Sequence, residues 1–227
     1  MHLPISDKIE LNILHQNSHQ AEKNKVKFNN YNLLCLNIMS SPGAGKTRLL
    51  EITLEDLSTE FQSAVLEGDM TTNLDAARLE KLNIPVVPIT TGRACHLDAN
   101  MVSGGLKLLE KKINPYILDI LLVENVGNLV CPAEFEIGEH FKVALLSITE
   151  GEDKPLKYPI MFREADLILI TKVDLLPHLN FDINELKSNI ASTNPKADVI
   201  EISSITKSGF DLWQKWIIKK ILKFKKN

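Results

Sequence analysis

From residue 33 onward the chain alternates short apolar runs with segments whose apolar residues recur every three or four positions. The runs cover residues 33–39, 64–67, 86–90, 117–124, 143–147, 167–171 and 199–202, and each ends in polar loop residues. Such continuous runs, rich in leucine and β-branched residues, suit strands buried on both faces of a sheet. Helical periodicity marks residues 47–57, 74–82, 97–111, 183–192 and 210–224. This alternation predicts an α/β fold, a mainly parallel sheet sandwiched by helices. Ligands of such sheets collect where strands end and loops begin, so the chemistry is expected there.

The two ends read differently. Residues 1–30 carry His2, His15, His19 and many Asn and Lys with little apolar periodicity, which predicts a flexible or weakly helical extension ahead of one domain over 31–227. At the other end, Ile217, Ile218, Ile221, Leu222 and Phe224 alternate with Lys219, Lys220 and Lys223. A docked terminal helix with solvated lysines accounts for that pattern better than membrane contact.

Composition narrows the field. A chain of 227 residues with 44% apolar and 24% charged residues is long enough for one domain with a real core. A formal net charge of −3 offers no electrostatic footprint for nucleic acid. The N-terminal segment lacks a signal peptide's apolar stretch and no run reaches membrane-spanning length, so a cytoplasmic protein is expected. Cys35, Cys95 and Cys131 are too few and scattered for a disulfide framework, leaving thiols available to a metal.

The most specific segment follows the first run: Ser40-Ser41-Pro42-Gly43-Ala44-Gly45-Lys46-Thr47, directly ahead of a helix. Backbone N–H groups from Gly43 through Ala44 and Gly45 to Lys46 can wrap a phosphate chain. Lys46 can reach its terminal phosphates, and the Thr47 hydroxyl can hold Mg²⁺. The helix dipole favours the same anion. Ser40 stands where the usual pattern opens with glycine.

A phosphate and Mg²⁺ site needs carboxylates at the ends of neighbouring strands. Asp69 follows Val65-Leu66-Glu67-Gly68, and Glu124 closes the fourth run three residues ahead of Gly127, like the D-x-x-G element that senses a γ-phosphate. Asp75 is a third candidate for the metal. Lys46, Thr47, Asp69 and Glu124 are thus the candidate catalytic residues, with helix capping or plain solvation the alternative for each carboxylate. Thr171-Lys172-Val173-Asp174 resembles the guanine motif N-K-x-D, with Thr171 in place of Asn. An Asp there accepts from guanine N1 and its exocyclic amine, a donor pair that adenine lacks. Ser203-Ser204-Ile205 occupies the place of the last such motif, whose backbone N–H meets guanine O6. The order of the four elements favours GTP over ATP.

A second constellation lies apart. Cys95-His96 sits at the expected start of a helix, a position that lowers a thiol pKa, and Cys131 follows the Glu124 element by one short loop. Two thiols and an imidazole suit Zn²⁺ or Ni²⁺ but leave a four-coordinate site incomplete, which a two-fold dimer could remedy. On residue type alone, two small buried hydrophobes and a hydrogen-bonded histidine remain the alternative.

Taken together, S-S-P-G-A-G-K-T, G-D-M-T-T-N-L-D-A-A-R, A-C-H-L-D-A, V-E-N-V-G-N-L-V-C-P-A, T-E-G-E-D-K-P-L-K-Y-P and T-K-V-D-L-L-P resemble the hydrogenase nickel-incorporation GTPases. That resemblance implies a P-loop fold of the signal-recognition and MinD-like class, slow GTP hydrolysis and GTP-dependent homodimerisation. It also implies a Ni²⁺ or Zn²⁺ site at the dimer interface, with Cys95, His96 and Cys131 as the matching ligands. The partners it implies are a hydrogenase maturation accessory protein and the hydrogenase large subunit. Unlike many members, this N-terminal segment has neither a cysteine cluster nor a histidine tract. An accessory GTPase for urease or a cobalamin enzyme, or a metal-binding module without turnover, are the competing readings. The first is disfavoured because the C-P-H triplet of the urease relative is absent.

Overall fold

The computed structural model describes residues 5–70 and 74–226, with side chains from residue 12 on. His2 and Thr71–Asn73 of the G-D-M-T-T-N string therefore lie outside the described residues.

The described strands are β1 (Leu34–Ser40), β2 (Ser63–Asp69), β3 (Val86–Thr90), β4 (Ile120–Glu124), β5 (Phe141–Ser147), β6 (Leu167–Thr171) and β7 (Asp198–Ile202). They form one sheet in the order β3-β2-β4-β1-β5-β6-β7, and every neighbouring pair is parallel. The helices are α1 (Ile5–Asn30), α2 (Lys46–Leu57), α3 (Leu74–Glu80), α4 (Ala99–Lys112), α5 (Cys131–Glu134), α6 (Lys154–Lys157), α7 (Pro159–Glu164), α8 (Ile183–Thr193) and α9 (Phe210–Phe224).

Strand alternation sorts side chains between two layers. Leu34, Leu36 and Ile38 of β1 join Leu50 of α2, Leu79 of α3 and Trp213 of α9 on one face. Cys35 points the other way, toward Phe28 of α1 and Leu106 of α4, while Met39 meets Phe162 of α7 and Ile190 of α8. The α9 periodicity thus marks a docked helix: Trp213 and Ile217 are fully buried, and the Trp213 indole N–H finds the Thr53 hydroxyl at 2.8 Å. Each such side chain removed from water stabilises the fold by about 2–3 kcal/mol.

Two expected boundaries move inward for local reasons. Pro115–Ile117 forms a 3₁₀ turn capped by the Asn114 side chain, so the fourth strand starts only at Ile120. Asp98 caps α4 by accepting the Met101 N–H, which leaves Leu97 ahead of the helix.

The larger correction concerns the N-terminal segment, expected to be flexible or weakly helical. It forms α1, which packs on α4. Residues 5–30 contain neither glycine nor proline, and Asn17, Ala21, Asn24 and Phe28 fall on one face, all buried. Two of those four are asparagines, so the buried stripe carries no hydrophobic period to read.

Candidate functional site

The carboxyl ends of β1, β2 and β4 meet the start of α2 around a cavity of about 450 Å³ lined by Lys46, Thr47, Glu67, Asp69, Asp75 and Glu124, among others. Gly43 and Gly45 take positive φ, 77° and 99°, which lets the loop turn its backbone inward ahead of α2. Ala44 is buried. Ser40, by contrast, ends a strand with no positive φ, so its backbone makes no demand for glycine. Its hydroxyl has a partner of its own: it accepts from Lys46 Nζ at 3.0 Å and donates to the Ser41 carbonyl. Burial lowers the Lys46 pKa against the pull of Glu124, Asp75 and Glu67.

Thr47 Oγ1 donates to Glu124 Oε1 at 2.7 Å, so these two expected metal-site residues are in direct contact. Asp69 caps the end of β2, accepting its neighbour Met70's N–H at 2.6 Å. Asp75 stands at the rim, paired with Arg78, which in turn holds Glu51 through two nitrogens.

Glu67 is the residue that sequence reasoning missed. Parallel register sets it level with Glu124 on the neighbouring strand, and the pair is 2% and 4% exposed. Among the described residues, one carboxylate oxygen of each has no hydrogen-bond partner. Burial, reinforced by Glu124, Asp69 and Asp75, pushes Glu67 up to about 8; burial likewise carries Glu124 to about 7, against Lys46 and the Thr47 bond. Orphaned buried oxygens beside a threonine hydroxyl are a donor set that fits a hard divalent cation. The signal was a lone acid inside an apolar run, two residues ahead of Asp69 and therefore on the same face of the strand.

The loop after Glu124 is fastened to the phosphate loop. A Cβ on Gly127 would lie 2.8 Å from Pro42 Cα, so only glycine permits this approach. The N–H groups of Asn125 and Asn128 donate to the carbonyls of Ile38 and Ser40.

Across the strand ends, the two expected base-recognition segments come together. Ser203 Oγ donates to Asp174 Oδ1 at 2.5 Å and accepts the Ile205 and Thr206 N–H groups. Ser204 is half-buried, and the Ile205 side chain is exposed. Lys172 takes a left-handed backbone, φ 62°. Thr171 donates its hydroxyl to the Ala44 carbonyl at 2.8 Å, bracing the phosphate loop from the position where asparagine is usual.

The thiols and imidazole also converge. Cys95 Sγ lies 3.2 Å from Cys131 Sγ and 4.0 Å from His96 Nδ1, and one donor atom from each residue falls within 4.8 Å of the others. All three are half-buried. His96 packs on the Phe135 ring, and burial lowers its pKa, favouring the neutral imidazole that a metal requires. Cys35 lies in the core, outside the cluster. The helix after Cys95 begins only at Ala99, and burial together with Cys95 pushes the Cys131 thiol up.

Two asparagines of the V-E-N-V-G-N-L-V-C-P-A string, given no role by the sequence reading, tie this cluster to the phosphate loop. Asn125, fully buried, accepts the Leu97 N–H at 2.9 Å. Asn128 donates its amide to the Cys95 carbonyl at 3.3 Å and accepts the Val130 N–H, just ahead of Cys131.

A family model for the CobW/HypB/UreG nucleotide-binding domain matches residues 34–201. The hydrogenase maturation factor HypB of Escherichia coli K12 is 47% identical over 209 residues, 92% of this chain and 71% of that protein. The crystal structure of HypB from Helicobacter pylori in complex with nickel superposes with a TM-score of 0.87 at 39% identity, covering 92% of this chain and 96% of that one. The signal recognition particle receptor FtsY from Elizabethkingia anophelis, in complex with GDP, matches with a TM-score of 0.53 at 14% identity over 75% and 57% of the two chains, a likeness of fold alone.

Proposed function

Because the chain belongs to the CobW/HypB/UreG nucleotide-binding family, and within it to the HypB hydrogenase maturation factors, we propose that it is a GTP-hydrolysing nickel metallochaperone for [NiFe]-hydrogenase. The observation that carries this reading is the direct continuity of two sites. The strand that ends in Glu124 runs on through Asn125 and Asn128 to Cys131, and those asparagines also hold the segment bearing Cys95 and His96. A change in how Thr47, Glu124 and Gly127 sit against a terminal phosphate therefore reaches the thiols through hydrogen bonds and one short loop.

In this reading Gly43 to Lys46 bind the GTP phosphates, and Asp174 with Ser203 to Ile205 receive guanine. Thr47 and Glu124, with Asp69 and Asp75 lining the same cavity, would hold Mg²⁺, which would supply charge neutralisation and orientation to the bound phosphates. None of the lining residues is assigned as a base for the attacking water, so intrinsic turnover should fall far below the roughly 10 s⁻¹ of a median enzyme. Cys95, His96 and Cys131 are three half-exposed donors, which leaves a tetrahedral position for a donor from outside this chain. A GTP-bound homodimer would place a second set opposite the first. The cargo, Ni²⁺ or Zn²⁺, would pass to the hydrogenase large subunit with an accessory maturation protein, in the cytoplasm. Among the described residues no helix is long and apolar enough to cross a membrane.

The test is a Ni²⁺ and Zn²⁺ titration in the presence of GDP and of a non-hydrolysable GTP analogue, followed by mass in solution. A dimer favoured by the analogue, with metal lost in Cys95→Ala and Cys131→Ala, is expected; unaltered metal binding by both variants would overturn the metal site. Mg²⁺-dependent GTP turnover that disappears in Lys46→Ala is expected, and absence of turnover in the parent would refute the enzymatic part.

A further inference from the structure

Neither segment bearing the thiols and imidazole belongs to a long element. Cys95 and His96 lie in the loop between β3 and α4, and Cys131 opens the four-residue α5. Short loops do not hold three ligand atoms within a few ångströms of one another without support from a rigid neighbour. That neighbour is α1.

Two buried asparagines on one face of α1 bridge the segments. Asn17 accepts the Ala99 N–H at 2.9 Å and donates to the Glu136 carbonyl at 2.8 Å. Asn24 donates to the Ala99 carbonyl at 2.8 Å and to the Ile137 carbonyl at 3.0 Å. Ala99 lies three residues after His96, and Glu136 and Ile137 lie five and six after Cys131. Each amide thus has one hand on the chain leaving Cys95 and His96 and the other on the chain leaving Cys131.

The surroundings hold this arrangement tightly. Asn17 and Asn24 are 5% and 2% exposed, and Gln20 on the same helix donates to the Asn24 oxygen at 2.9 Å. Gly138, φ 96°, lets the chain beyond Ile137 touch α1; a Cβ there would fall 2.5 Å from the Ala21 carbonyl oxygen and 2.7 Å from Asn24 Cβ. Phe28, 0% exposed, anchors the end of the helix in the core. A helix distant in sequence from both loops thus supplies them with donors and an acceptor.

We propose that α1 is a structural part of the metal centre, with Asn17 and Asn24 the positioning residues that set the separation between the Cys95–His96 and Cys131 segments. The proposal rests on the reading of Cys95, His96 and Cys131 as metal ligands. It makes the helix a lever: displacing α1 loosens the thiols from each other, whereas the bonds from Asn125 and Asn128 to Ile38 and Ser40, at the end of β1 ahead of the phosphate loop, do not involve α1.

The full-length chain is titrated with Ni²⁺ alone while thiolate-to-nickel charge-transfer absorbance is followed, for the parent, Cys95→Ala, Asn24→Ala and Asn17→Asp. Affinity for a fluorescent GDP and the far-ultraviolet circular dichroism serve as controls. The expected result is about a tenfold or greater loss of Ni²⁺ affinity and an altered charge-transfer band in Asn24→Ala, the size typical of losing an outer partner of a metal ligand. Asn17→Asp keeps an oxygen for the Ala99 N–H but sets a buried carboxylate against the Glu136 carbonyl, so a loss of Ni²⁺ affinity of similar size is expected. GDP affinity should stay within about twofold of the parent in both. Parent-like Ni²⁺ affinity and spectrum in both asparagine variants, with Cys95→Ala defective, would overturn the role of α1 alone. Parent-like binding by Cys95→Ala would overturn the ligand assignment on which it rests.

Discussion

Replacing Phe28 by alanine tests whether α1 belongs to the folded domain. The ring is 0% exposed and shares a core cluster with Leu33, just ahead of β1, with Cys35 of β1 and with Val102, Leu106 and Leu109 of α4; the His140 ring stands 6.4 Å away. Truncation removes the buried ring and leaves a cavity walled by β1 and α4, elements too well packed to collapse into it. Such substitutions cost about 3–5 kcal/mol, and for a chain of this size each kcal/mol lowers Tm by about 2–4 °C. A fall of about 6–20 °C is therefore expected in a thermal melt followed by circular dichroism. Val26, on the same helix two residues earlier, is 58% exposed, and Val26→Ala should stay within about 0.5 kcal/mol of the parent. Limited proteolysis reads the same question locally, because undocking should open α1 to cleavage in Phe28→Ala and not in Val26→Ala. If Phe28→Ala costs less than about 1 kcal/mol and α1 is cut no faster, the helix is not docked in solution and the packing argument is wrong.

Four further outcomes follow from other parts of the site. Thr171→Val leaves the Ala44 carbonyl without its donor, a cost of about 1–2 kcal/mol; nucleotide affinity should drop about tenfold and Thr171→Ser should restore it, whereas a parent-like valine variant would deny the brace. Asp174→Asn exchanges an acceptor for a donor, so a fluorescent GDP should bind at least about 100-fold more weakly and its xanthine counterpart more tightly; an unchanged ratio would remove Asp174 from base recognition. Glu67 titrates near 8 in the fold against an ordinary 4.5, so the stability it lends is complete below pH 4.5 and lost as pH rises through 8. In metal-free buffer Glu67→Gln should flatten that decline in Tm, and an equal slope in both proteins would contradict it. His140 is held neutral, its Nδ1 accepting the Cys35 N–H and its Nε2 facing Asn29, with burial lowering its pKa to about 4. Its folded value lies below the unfolded 6.5, so stability should fall as pH drops from 6.5 toward 4; a His140→Asn variant with the same acid sensitivity would show that another group is responsible.

The parallel sheet and its central helices were legible because the apolar runs of the inner strands are buried on both faces. Val86–Thr90, Leu167–Thr171 and the Phe210–Phe224 helix have the bounds the pattern predicts. The phosphate loop was legible for a different reason: Gly43, Gly45, Lys46 and Thr47 are restricted by backbone geometry and by charge, and both restrictions act within one turn of chain. Ser40 and Thr171 looked like defects against their motifs. The fold gives each hydroxyl a partner, Lys46 for one and the Ala44 carbonyl for the other, neither of which is deducible from spacing.

What the chain determines by itself is local: which segments prefer strand or helix, which loop can cradle an anion, and which residues carry thiol, imidazole or carboxylate chemistry. Periodicity and motif spacing express exactly those short-range constraints, so they survive in the bare sequence. Tertiary structure alone decided which distant groups share a surface. It set Glu67 level with Glu124 through the register of two strands, joined Cys95 to Cys131 across a gap of 36 residues, and turned the asparagine-lined face of α1 into a clamp on both loops. A buried asparagine reads as a polar surface residue until its partners are known, because its hydrogen bonds depend on chain that the sequence places elsewhere.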